Sequence, residues 1–145
     1  MATVIFPTER ISSSNLNIDL NIDYFAVEPD LRSSNELISS ESNSPYNSQT
    51  LIKRALWHSN GEVTLNLCRK PMASSVYTPN REFIDLFQNP ERNDIVDKVK
   101  IECTTIDDLN KQTGKLFDVI KLDVQGAELD VLKGATKSLS SVIAI

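Results

Sequence analysis

Glycine is scarce in this chain. Only four of its 145 residues are glycine, and none precedes Gly61. A glycine-rich loop that lets the backbone approach a phosphate or a cofactor is therefore excluded from the first sixty residues. Histidine occurs once, at His58. Cysteine occurs twice, at Cys68 and Cys103, with no CxxC spacing. That pattern suits neither a disulfide framework nor a zinc site, so two reduced, half-buried thiols and no metal are expected. No apolar run approaches the roughly 18 residues of a membrane span. The first residues lack a basic-then-apolar signal pattern, which favours a cytoplasmic location. The chain is acidic, with net charge −5 and a pI near 4.9, and carries no basic cluster. Neither nucleic acid nor a membrane surface is expected as a partner. What remains is an ordinary soluble composition, 40% hydrophobic and 24% charged, enough for one core.

The pattern along the chain is uneven. Residues 1–21 hold a short apolar run closed by Pro7 and then a polar break, so they read as a poorly ordered, extended or frayed lead-in. Residues 23–28 (DYFAVE) are the first convincing strand, stopped by Pro29. A short helix is plausible over 30–40, followed by a serine- and asparagine-rich loop over 39–50. Residues 50–57 (TLIKRALW) and 62–67 (EVTLNL) are strand candidates, and Asn60-Gly61 suggests a hairpin-like turn between them. Residues 69–80 form an irregular loop, 81–88 a short helix and 99–104 an alternating strand. Thr105, Asp108 and Gly114 mark the cap and the end of another helix.

The last third is clearest. Residues 116–124 (LFDVIKLDV) are nearly continuously apolar, as in a strand covered on both faces. Gln125-Gly126 makes a turn. Leu129, Leu132, Thr136 and Leu139 then recur at helical spacing over 127–139, with Val131 and Ala135 widening the stripe. Residues 141–145 open another apolar strand. Strands alternating with helices define an α/β domain with a mainly parallel sheet, and such sheets bind ligands beyond the carboxyl ends of their strands.

Two of those strand ends carry acids. Glu28 is placed to accept hydrogen bonds from a nucleotide ribose; the plainer alternative is a solvated acid before a proline. Asp123 could orient a substrate hydroxyl or a metal-bound water. Lys121 shares its face, so a structural ion pair with Asp123 or Glu128 is the competing reading. Glu128 falls in a helix's first turn, where the dipole alone accounts for it. His58 reads as an exposed loop residue, with general base or adenine wall as the alternative.

Taken together, FAVEP, ALWHSNGEVTL, SSVYTPN, KVKIECTTIDDL and FDVIKLDVQGAELDVLKGA resemble the FkbM family of S-adenosylmethionine-dependent methyltransferases over residues 22–145. The most characteristic stretch is KLDVQGAE followed by LKGA. The resemblance implies a Rossmann-like class I methyltransferase core. It implies S-adenosyl-L-methionine as cofactor, with Glu28 on the ribose, Ala55, Leu56 and Trp57 near the adenine, and Asp123 at the methyl-transfer site. The acceptor would be a hydroxyl of a sugar or secondary metabolite. Residues 1–22 depart from the family, which opens with a first strand and a D-x-G-A-N-x-G loop that is missing here. The chain thus resembles a methyltransferase domain truncated at both ends. Such a chain should bind the cofactor weakly by itself. The alternative is a non-catalytic remnant or split-gene piece that needs a complementing chain or associates through edge strands. A nicotinamide-dependent oxidoreductase fits less well, because the G-x-G-x-x-G loop is missing too.

Overall fold

A computed structural model describes residues 2–7, 22–30, 32 and 46–145. Seven strands form two sheets. Strands β1 (Ala2–Pro7), β2 (Ile22–Val27), β3 (Ser48–Ile52) and β7 (Val119–Leu122) make a four-stranded sheet in the order β3-β2-β1-β7. Strands β4 (Ala55–Leu56), β5 (Gly61–Cys68) and β6 (Ile95–Thr104) make a second sheet in the order β4-β6-β5. Among the described residues they are accompanied by α1 (Arg81–Ile84), α2 (Ile106–Thr113) and α3 (Glu128–Lys133).

The expectation of a mainly parallel sheet is corrected. β2 and β3 run parallel, but β1 pairs antiparallel with both β2 and β7. β2 and β7 are consequently parallel to each other, and the slot between them is occupied by a strand running the other way. Ala2 lies opposite both Val27 and Leu122, so the start of β1, not its end, reaches the rim where β2 and β7 finish. The second sheet is mixed as well, with β4 parallel and β5 antiparallel to β6. β1 falls within the stretch expected as a lead-in; residues 8–21 lie outside the described residues. So does nearly all of the helix expected over 30–40, and much of the loop expected over 39–50, whose last three residues belong to β3.

Several boundaries move for identifiable reasons. Residues 50–57 are not one strand. Lys53-Arg54 breaks them: the Ile52 carbonyl accepts from the Glu28 N–H (3.0 Å), whereas the Trp57 N–H donates to Thr104 in the other sheet (2.9 Å). β4 and β5 do not form a hairpin either, because β6 lies between them and Cys103 stands opposite both Ala55 and Gly61. β7 is covered on one face, with Ile120 buried and Lys121 exposed.

The 127–139 helix is interrupted after Lys133. The Gly134 carbonyl accepts from the Asp107 N–H (3.1 Å), and the Asp107 carboxylate takes the N–H groups of Lys137 (3.1 Å) and Ser138 (2.8 Å). Helix α2 thereby captures backbone groups that a continuous helix would need, and the chain resumes as a 3-10 turn at Ser138–Ser140. Residues 141–145 contribute only a parallel bridge between Ala144 and Val119. By contrast, α2 begins and ends where its signals predict. The Thr105 hydroxyl accepts from the Asp108 N–H (3.0 Å), and Gly114 closes the helix at φ 67°.

The core gathers β2, β4, β7, α2 and α3. Phe25, Val27, Leu56, Ile106, Leu109, Phe117, Ile120, Val131 and Ala135 are all buried there. Full burial of a side chain the size of Phe117 or Ile120 stabilises by about 1.5–3 kcal/mol relative to leaving it in water. Packing therefore fixes β2 and β7 on either side of β1, and the rim beyond them is where a ligand cavity forms.

Candidate functional site

A cavity of about 400 Å³ opens beyond the ends of β2, β4 and β7, within the size range of small-ligand sites. Glu28 and Asp30 line it from β2, Ala55 and Leu56 from β4, and Lys121 and Asp123 from β7. Four of the residues singled out from the sequence, Glu28, Ala55, Leu56 and Asp123, thus share one space. Trp57 is not among its lining residues. Its ring lies against His58 (5.0 Å between centroids) and Tyr77 (6.3 Å), and its carbonyl faces Gly134. His58 does not line the cavity either.

Glu28 is buried directly after β2, where Pro29 prevents the strand from continuing. One carboxylate oxygen accepts from the Asp30 N–H (2.8 Å). Burial pushes its pKa above the ordinary carboxyl value. Asp30, two residues on, is buried as well but held as an anion. Burial would raise its pKa, yet the Arg32 guanidinium, donating through Nε (3.0 Å) and NH2 (2.6 Å), outweighs that and keeps the carboxyl low. Arg32 also donates to the Cys68 carbonyl (3.1 Å), which ties the β2 rim to β5.

The turn after β7 is built by its own sequence. Glu128 Oε1 accepts from the N–H groups of Val124 (3.2 Å) and Gly126 (3.3 Å), bending the chain at the cavity mouth. Burial would raise the Glu128 pKa, but its own backbone N–H, together with those of Gly126 and Val124, prevails and lowers it. Gln125 and Gly126 both take positive φ, 53° and 95°. Asp123 is exposed, and its Oδ1 accepts from the Gln125 side-chain amide (2.6 Å). Lys121 lines the same cavity as Asp123.

Sequence reasoning missed the flap that covers the cavity. Residues Pro71, Met72, Ser74, Ser75 and Val76 line it from the irregular 69–80 segment. Asn66, inside β5, fixes that segment: its side-chain amide donates to the carbonyls of Ser75 (3.2 Å), Val76 (3.3 Å) and Tyr77 (3.1 Å). The Ser75 hydroxyl donates to the Gln125 carbonyl (2.9 Å), and the Tyr77 hydroxyl bonds to Asp130, so the flap is latched to the turn beyond β7. A buried asparagine between two leucines in an otherwise apolar strand end was the available signal. Gly134 was missed too. A Cβ there would stand 2.3 Å from the Trp57 carbonyl oxygen, so only glycine lets the end of α3 meet the strand that walls the cavity.

Cys68 and Cys103 are free and buried, and burial pushes both thiols above their ordinary pKa, which disfavours the nucleophilic thiolate. Among the described residues, no group of three His, Cys, Asp or Glu side chains could hold a metal. No helix among them is long and apolar enough to cross a membrane.

The cavity thus lies on the rim where β2 and β7 both end, with the acid Glu28 directly after β2. The sequence model of the methyltransferase FkbM domain matches residues 14–145, nearly the whole chain, and the chain belongs to that methyltransferase family. No curated protein and no solved structure matches it.

Proposed function

We propose that the chain is an S-adenosylmethionine-dependent O-methyltransferase acting on a small-molecule hydroxyl, such as that of a sugar or secondary metabolite. The observation that carries this reading is the meeting of Glu28 and Asp123 in one cavity whose wall is the apolar pair Ala55 and Leu56. The fit is good for the nucleoside half of the cofactor. Glu28 offers a buried carboxylate to two ribose hydroxyls, and Ala55 and Leu56 offer an apolar face to the adenine. When bound, the cofactor supplies an electrophilic methyl carbon on a sulfonium. Asp123 accepts a hydrogen bond from the acceptor hydroxyl and orients its oxygen, which is chiefly a gain in proximity and alignment.

The fit is poorer for the methionine half. The rim between β2 and β7 is met by Ala2 at the start of β1, and Pro7 lies at the opposite rim, across from Ile22. That observation favours a second reading, a non-catalytic nucleoside-binding remnant. Both readings imply near-millimolar affinity, since ordering costs of roughly 4–15 kcal/mol offset most of the contacts.

Calorimetric titration with adenosine and with S-adenosylhomocysteine tests the assignment. The two should bind within a few-fold of each other, and Glu28→Ala should weaken both by about 10-fold or more. Unchanged binding in that variant would remove Glu28 from the site. Methyl transfer that survives in Asp123→Ala would remove Asp123; no transfer to any hydroxyl acceptor, with nucleoside binding intact, would leave the second reading.

A further inference from the structure

Beside the cavity lies a second recess of similar volume, about 400 Å³, and its chemistry is opposite. Met72 lines both and forms the partition between them. The recess has an aromatic wall. Phe83 and Phe87 meet edge to face at 5.0 Å yet remain 58% and 59% exposed. Large apolar side chains left in water beside a recess point to a ligand that covers them.

Its charge is the second observation. Lys70 and Arg92 line the recess, and among the described residues no acid does. The Lys70 N–H donates to the Arg92 carbonyl (3.0 Å), so the two cations rise from adjacent backbone. Two nearby acids are already engaged: Asp85 pairs with Arg81, and Asp94 with Arg69 and Arg81. Among the described residues, neither Lys70 nor Arg92 has a carboxylate within ion-pair distance. Two unneutralised cations framing an apolar wall are conspicuous in a chain of net charge −5.

The third observation is continuity. Gln125 lines the recess, and its side-chain amide donates to Asp123, which lines the cavity. A hydroxyl oriented by Asp123 would belong to a molecule whose body extends past Met72 into the recess. We propose that the recess is the acceptor subsite and that the acceptor is an acidic, flat, apolar hydroxy compound, its ring against Phe83 and Phe87 and its anion between Lys70 and Arg92. This rests on the methyltransferase reading and narrows its acceptor: a neutral sugar would leave both the aromatic wall and the cations unused.

The test is calorimetric binding of 6-hydroxy-2-naphthoate, 2-naphthol and glucose to the full chain without any methyl donor. The naphthoate should bind about 10-fold or more tightly than the other two, and less tightly as salt is raised. A Lys70→Ala/Arg92→Ala double variant should lose the preference for naphthoate over naphthol. Phe87→Ala should weaken both aromatic compounds. Thermal melting of each variant checks that the fold persists. Equal binding of naphthol and naphthoate, a preference that survives the double variant, or tighter binding of glucose would each overturn the proposal. Because no donor is present, the outcome is separable from that of the donor site. Naphthoate binding with no nucleoside binding would sink the donor assignment alone, and the converse would sink this one alone.

Discussion

The turn after β7 and the 69–94 excursion between β5 and β6 border the same cavity, but they are held by opposite means. The turn and helix α3 are fastened from within. Glu128 closes the turn on its own N–H groups, Val131 and Ala135 are fully buried, and Gly134 abuts the Trp57 carbonyl. The excursion has an anchored first half, fixed by Asn66, and a second half with no buried residue in either its helix or its 3-10 turn. Salt bridges on the surface, such as Arg81 with Asp85 and Asp94, are its main ties. The geometry of the turn side is therefore a product of core packing, while that of the excursion's second half rests largely on contacts worth little in water. Substitutions could alter the second without unfolding the first.

Gly134→Ala should strike hardest. Its Cβ would meet backbone at 2.3 Å, which no side-chain rotation relieves. A loss of about 2–4 kcal/mol is expected, seen as a drop of roughly 5–10 °C in melting temperature. A neutral outcome would erase the contrast, because the turn side would then yield as readily as the excursion. Asn66→Ala should come next, costing about 2–3 kcal/mol by stranding backbone carbonyls at the flap. Hydrogen exchange should rise at the flap residues that Asn66 holds and stay unchanged in α2; a uniform rise would mean the flap is no separate unit.

A smaller effect belongs to the far end of β2. Asp23 is buried there against Lys115, Ser48 and Asn47. Its hydrogen bond with Lys115, helped by the other two, lowers its pKa from 3.8 to about 2. A depressed carboxyl contributes its stability above the unfolded value, and loses it as pH falls from about 4 towards 2. About 1–2 kcal/mol should disappear over that window, discounted because Lys115 is partly exposed. Asp23→Asn should flatten this part of the curve in acid denaturation. Least affected of all should be Leu86→Ser on the exposed α1 side, within about 0.5 kcal/mol of the parent. A large loss there would show that the excursion is packed after all.

Legibility followed the range of the interactions. The Thr105–Gly114 helix could be read because its cap, stripe and stop are all local. Glu28 and Asp123 could be placed on one rim because two parallel strands end together. The break at Lys53-Arg54 could not, since apolar residues on both sides mask a change of sheet. Gly134 looked like a helix residue because its need for space is set by Trp57, 77 positions earlier in the sequence. The direction of β1 was invisible for a different reason. Alternation of side chains reports a strand but carries no sign of whether its neighbours run with it or against it.

That reversed strand also dictates an order of events in folding. β1 and β2 are close in the chain and can pair early, whereas β1 meets β7 through pairs such as Ile5 with Val119. Contacts of such long sequence separation form late and slow the search. While the chain emerges from the ribosome, the edge of β1 that pairs with β7 must wait until residues 119–122 have been made, open to any strand that arrives first. Chaperone dependence and a concentration-dependent refolding yield are the expected signatures of that waiting edge.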